Sequence, residues 1–261
     1  AMTRPAADCA RGGPRVFIAG APKCGTTSLY RTLAASGDFY CPNTKEPHFF
    51  APEWPRAQTF SDEAAYLASY AGARPDQSPV DASVYYLYSE TALAAIAKRL
   101  PHARIIVMLR SPVALVHSLH EQELFSLKEN VRDFAAAWRL QEARERGLSL
   151  PPDCPTPDWL KLRKVADFGP QLRRLYGAFP AKQVFVGIFE DMHADQQTFL
   201  TALAAFLGSD SLRRATLQHE NSAKRWRGPA RRATLKTAQR LQEWLRRNGV
   251  VESVRRLSQG L

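Results

Sequence analysis

Residues 15–33 read RVFIAGAPKCGTTSLYRTL. Val16, Phe17 and Ile18 form a short β-branched and aromatic run of the kind that fills a strand buried on both faces, and Gly20-Ala21-Pro22 turns it into a loop. Beyond the loop, Leu29, Tyr30, Leu33 and Ala34 recur at helical spacing, and Gly37 stands where a left-handed C-terminal cap is expected. Strand, glycine-bearing loop and helix in that order bring backbone N–H groups and the positive end of a helix dipole to one point. That is an anion cradle.

The same alternation continues outward. Buried strands are predicted at Arg104–Leu109 (RIIVML) and Gln183–Phe189 (QVFVGIF), and the helix after the first has Ser111 as N-cap with Pro112 at its first position. Further helices are predicted over Ser89–Leu100, Asp133–Arg146, Trp159–Ala178 and Gln196–Leu207. Strands alternating with helices predict an α/β fold, with a P-loop-like central parallel sheet flanked by helices on both faces. The stretch 148–158 holds Pro151, Pro152, Pro155 and Pro157, so it reads as an irregular excursion, either bordering a cleft or lying on the surface.

A chain of 261 residues with 45% hydrophobic content is enough for one sizeable core, and we expect residues 1–261 to form a single domain. Cys9, Cys24, Cys41 and Cys154 show no C-x-x-C pair, so neither a disulfide framework nor a zinc site is expected. Residues 1–15 lack the apolar run of a signal peptide and no later stretch approaches a membrane span, which makes a cytoplasmic location the expectation, without membrane association. The net charge of +11 draws in anionic ligands without choosing among nucleotide, glycan, nucleic acid or membrane surface. No nucleic-acid module is legible, oligomeric state is unreadable, and the basic segment 212–261 reads as a closing element over a nucleotide or as a terminal helix.

The loop itself sharpens the function. Gly20 and Gly25 lie five apart and are followed by hydroxyl residues, as in a phosphate-binding loop of the form G-x-x-x-x-G-K-[ST]. The lysine position after the second glycine is Thr26, however, and the only lysine is Lys23, two residues before that glycine. Metal-dependent phosphoryl transfer also wants an aspartate at the end of a neighbouring strand, where this chain has Arg110. Asp191, after the third predicted strand, reads as structural.

Pro22, Lys23, Gly25, Thr26, Thr27 and Leu29 resemble the 5′-phosphosulfate loop P-K-x-G-T-[TS]-x-L of the sulfotransferases that use 3′-phosphoadenosine 5′-phosphosulfate (PAPS). Arg110-Ser111-Pro112, with Ser118 eight residues after the arginine, resembles that family's 3′-phosphate signature, with serine in place of the usual aspartate. By this resemblance the donor is PAPS and the product 3′-phosphoadenosine 5′-phosphate (PAP), with no metal. Lys23, Cys24, Gly25, Thr26, Thr27 and Ser28 would hold the 5′ end, with Lys23 also offsetting charge on the leaving phosphate, and Arg110 and Ser118 would hold the 3′-phosphate. Within a basic loop at 224–228, Arg225 and Arg227 are the cations expected to close over the nucleotide.

Lys45-Glu46-Pro47-His48 is similar to the segment that supplies the base in heparan sulfate sulfotransferases and many bacterial relatives. The resemblance implies Glu46 as the base that takes a proton from an acceptor hydroxyl, with His48 as the alternative on the same side of an extended segment, and Lys45 close to the acceptor. Ser83, in a stretch similar to the family's S-P-x-Y with Val84 replacing proline, is a candidate acceptor contact. The acceptor itself stays open between a small natural product, a glycan and a carrier-bound intermediate. The rival reading is a P-loop kinase or NTPase, against which the misplaced lysine counts. His117 and His120 with Glu121 lack a third metal ligand.

Overall fold

The computed structural model describes residues 13–60 and 62–217. Its centre is a sheet of five parallel strands in the order β2-β3-β1-β4-β5. The strands are β1 (Val16–Gly20), β2 (Phe39–Tyr40), β3 (Ser78–Asp81), β4 (Arg104–Leu109) and β5 (Val184–Ile188). Every residue of β1 is buried, as its uninterrupted apolar run requires. It pairs with β3 on one side and β4 on the other, with Phe17 opposite Asp81 and Ile105.

The connecting helices lay their apolar stripes on this sheet. They are α1 (Thr26–Ser36), α2 (Glu63–Ala68), α3 (Ala92–Arg99), α4 (Pro112–Phe125), α5 (Phe134–Arg139), α6 (Gln141–Glu145), α7 (Leu162–Val165), α8 (Phe168–Ala178), α9 (Phe189–Ala194), α10 (Gln196–Leu207) and α11 (Asp210–Arg213). Leu29 and Leu33 of α1, Ile96 of α3, Leu115 and Leu119 of α4 and Leu200 and Leu203 of α10 are all shut off from solvent. Each such side chain contributes about 1.5–3 kcal/mol relative to exposure.

The chain leaves β1 towards β2 and β3 but returns to the opposite side of β1 for β4. A sheet that reverses its winding in this way opens a crevice beyond the carboxyl ends of the strands at the switch, here β1 and β4. Both carry loop residues singled out in the sequence.

Two long predicted helices are broken. The one over 159–178 is a 3₁₀ turn (Pro157–Leu160), then α7, then α8. Pro170 lacks the N–H that would bond to the Ala166 carbonyl and its ring would strike it, so Pro170 fits only within the first turn of α8. The one over 133–146 bends at Leu140, between α5 and α6, where the Gln141 side-chain amide donates to the carbonyls of Ala137 and Leu160. Among the described residues no helix is long and apolar enough to cross a membrane.

Candidate active site

The loop after β1 is tied down on both sides. Ala21 N donates to Met108 O of β4 at 2.7 Å, and Leu87 N donates to Ala19 O at 2.8 Å. Gly20 passes so close to its neighbours that a Cβ there would lie 2.8 Å from Leu87 Cβ and 3.1 Å from Val84 O. Gly25 begins α1 with φ 76°, a left-handed conformation, and no side chain caps the helix and no acidic residue stands in its first turn. The first-turn N–H groups of Thr26, Thr27 and Ser28 thus meet no side-chain cap, an arrangement that suits an anion.

Lys23 also turns left-handed (φ 63°), and its Nζ donates to Gln122 Oε1 of α4 at 2.7 Å. Cys24 is fully buried with Sγ donating to Pro22 O at 3.3 Å, and burial, opposed by Arg110, pushes its thiol up to about 12. It is a packing residue of the loop and not a nucleophile at neutral pH.

Arg110 follows β4. Its Nη1 donates to Lys23 O at 3.4 Å, its guanidinium stands 4.6 Å over the Phe189 ring, and its Nε is buried without a hydrogen-bond partner. A fork anchored at one end with an unsatisfied donor at the other suits an oxyanion. Ser118 is half-buried on α4, one turn before Gln122, so α4 carries both along the side that meets Lys23. Ser111 stands at the N-cap but makes no side-chain cap, contrary to expectation; its N–H donates to Glu190 Oε1 of α9 at 3.2 Å, which holds α9 against the start of α4. Arg225 and Arg227 lie outside the described residues.

The segment 45–48 is not extended, as its reading assumed: Glu46 (φ 62°) and His48 (φ 50°) both turn left-handed. Such conformations are costly for non-glycine residues and persist where the surroundings impose them. Here a buried network does so. Asp81, at the end of β3, accepts from Ser83 Oγ at 2.7 Å, from Tyr66 OH at 2.8 Å and from Tyr86 OH at 3.1 Å. Ser83 Oγ in turn accepts from His48 N at 3.0 Å, and Tyr86 OH from Phe50 N at 3.2 Å. Ser83 has no exposed surface, which places it behind His48 and not on the face of the site.

The two left-handed turns bring the paired side chains together. Glu46 Oε1 accepts from Lys45 Nζ at 2.6 Å, and Glu46 Oε2 lies 3.5 Å from His48 Nε2. Burial would raise the Glu46 carboxyl, but the His48 hydrogen bond and the Lys45 charge outweigh it and hold the group at about 2. Its side chain stays 34% exposed, whereas that of His48 is almost wholly covered, so of the two it is Glu46 that faces outward.

Sequence reasoning passed over several neighbours of Glu46. Glu123, next to Gln122 on α4, is buried close enough to Glu46 and Lys23 to feel both charges, and burial raises its carboxyl. Tyr85 and Trp159 stack at 3.8 Å next to His48. The only signal for Glu123 was its place on the helix that carries Ser118. His117 stacks on Phe134 and His120 Nε2 bonds to Val131 O, and among the described residues no group of three or more side chains could hold a metal ion.

Residues 13–224 match the family described as "Sulfotransferase domain". A sulfotransferase from Alicyclobacillus acidocaldarius is similar over 86% of this chain and 90% of its own, with a TM-score of 0.68 and 29% identity. The sulfotransferase domain from the curacin biosynthetic pathway aligns over 78% of this chain and 77% of its own at a TM-score of 0.46 and 17% identity. A mouse sulfotransferase solved with PAP aligns over 78% and 63% at 0.45 and 16%. No curated protein gives a significant match.

Proposed function

Because this chain belongs to the sulfotransferase domain family and is an enzyme of sulfuryl transfer, not a kinase or NTPase, we propose that it moves the sulfuryl group of PAPS onto an acceptor hydroxyl. The observation that carries the donor assignment is the meeting of the Lys23 loop with Arg110 at the switch between β1 and β4, with an uncapped helix start between them. Those residues fit a nucleotide with phosphate at two ends. The α1 N-terminus and Lys23 offer donors to one, and the unsatisfied Arg110 Nε with the Ser118 hydroxyl offers donors to the other. The family match over 13–224 supports one transferase domain, with Arg225 and Arg227 proposed to close over the nucleotide.

PAPS supplies an activated sulfuryl group whose departure leaves phosphate. Lys23 Nζ, released from Gln122, offsets charge on that leaving oxygen, and the loop N–H groups hold the phosphate in place. Glu46 takes the acceptor proton at Oε2. A carboxylate held at about 2 is a weak base, so it serves a hydroxyl that loses its proton late, after the bond to sulfur has made it acidic. Lys45 and His48 keep Glu46 ionised and aimed.

Thermal-shift titration with PAP, ATP plus Mg²⁺, and an oligonucleotide tests the donor. Stabilisation by PAP above the other two is expected. Equal or greater stabilisation by ATP plus Mg²⁺ would overturn the assignment.

A further inference from the structure

β4 and β5 end side by side, with Met108 opposite Gly187 and Leu109 opposite Ile188. Gly187 permits this closeness, since a Cβ there would lie 2.8 Å from Met108 Sδ and 2.7 Å from Phe199 Cε2. The match carries on past the strands. The Arg110 guanidinium stands 4.6 Å over the Phe189 ring, and one residue further the Ser111 N–H donates to Glu190 Oε1 at 3.2 Å. Residues 109–111 thus meet 188–190 one for one. The same ring reaches the loop after β1, because a Cβ on Gly25 would lie 2.9 Å from Phe189 Cδ2. His193 packs on it at 4.1 Å between ring centres, and its Nδ1 donates to Phe189 O at 3.0 Å. Phe189 therefore abuts both the loop proposed to hold one phosphate and the cation proposed to hold the other.

We propose that Phe189 is the positioning residue of the 3′-phosphate site: it fixes the Arg110 fork where that fork separates a 3′-phosphorylated nucleotide from one lacking this phosphate. The inference rests on the donor reading above and adds a residue to it. A bidentate grip on phosphate needs a long, flexible side chain to be frozen in one geometry beforehand. The other tie on the guanidinium is weak for this purpose, since Nη1 donates to Lys23 O at 3.4 Å and Nε is buried without a hydrogen-bond partner. A cation over a ring face is held without using up any of its N–H donors, so the fork stays available. The attraction is strongest where water is excluded, and both Arg110 and Phe189 are half-buried. Because the ring also stands against Gly25, one rigid side chain sets the spacing between the two ends of the donor site.

Calorimetric titration of the full chain with PAP and with 5′-AMP, which lacks only the 3′-phosphate, tests this. Wild type should bind PAP about tenfold or more tighter than AMP. Phe189→Leu and Phe189→Met, two replacements that keep apolar bulk but lose the ring, should each weaken PAP about fivefold to tenfold and leave AMP within about twofold. Phe189→Tyr, which restores the ring, should stay within about twofold of wild type for both nucleotides. Adding Phe189→Leu to Arg110→Ala should cost less than about twofold more in PAP affinity, because the ring acts through the guanidinium. A ring needed only for packing, or one that touches the base, would weaken PAP and AMP alike and add to the Arg110→Ala loss. Either of those results, or PAP affinity undiminished in both Leu and Met variants, overturns the proposal. Failure of wild type to bind PAP, or equal affinity for PAP and AMP, overturns the underlying donor reading and the proposal with it, so the two failures are distinguishable.

Discussion

Lys23 and Glu46 stand on opposite sides of the proposed transfer, and both are held by neighbours that tune their charge, Lys23 by Gln122 and Glu46 by Lys45 and His48. Transfer of labelled sulfate from PAPS should fall roughly 10²–10³-fold in Lys23→Ala, as when a donor to developing oxyanion charge is removed. Glu46→Gln should lose about 10²–10⁴-fold, the span of a missing general base. Folding moves the Glu46 carboxyl from its ordinary 4.5 to about 2, so the native state binds fewer protons over that interval. Its contribution to stability is thus present above about pH 4.5 and fades as pH falls towards 2. Melting curves should accordingly show the advantage of wild type over Glu46→Gln shrinking between pH 5 and pH 3, and an advantage that grows on acidification would refute the clamp. The place of Lys23 in the loop and of Arg110 at the end of β4 was legible because their spacing from glycine and proline is a local pattern. Glu123 and Tyr85 were not, because only tertiary packing brings α4 and the turn after β3 to Glu46.

At the scale of elements, the strands β1 and β4 could be read from sequence because burial on both faces leaves a continuous apolar run, whereas β5 shows the same run at the edge of the sheet, where it is only partly buried and not the buried strand expected. β2 is two residues long and β3 is Ser-Pro-Val-Asp, too short and polar to announce themselves, yet β3 ends in the Asp81 that fixes the Glu46–His48 turns. Ser83→Ala should therefore lower the rate of sulfate transfer severalfold while PAP affinity changes less than about twofold, because the segment it steadies is the one proposed to carry the base. After α4 the chain is pinned by a buried ion pair: Arg144 meets Glu129 through two bonds of 2.6 and 2.9 Å, and Glu129 Oε1 also accepts from the N–H groups of Asn130 and Val131. Glu129→Gln would leave the Arg144 charge uncompensated in the interior, and denaturant titration should show a loss of about 3–5 kcal/mol. A loss near zero would mean that the pair does not hold this stretch.

Over the whole molecule, a parallel sheet that reverses its winding at β1 sets one crevice between a cationic loop and a cationic strand end, and a net charge of +11 gives the chain a field that favours anions. Fold class was readable from the alternation of strands and helices, whereas the breaks at Leu140 and before α8 came from a side-chain amide and a proline that periodicity alone does not weigh. Calorimetric titration of PAP into wild type and Arg110→Ala tests the central claim most directly. The two-ended phosphate site predicts saturable binding by wild type that weakens about tenfold or more without the guanidinium, as loss of a charge-assisted hydrogen bond implies. Equal affinity in both proteins, or no binding by wild type, would contradict it.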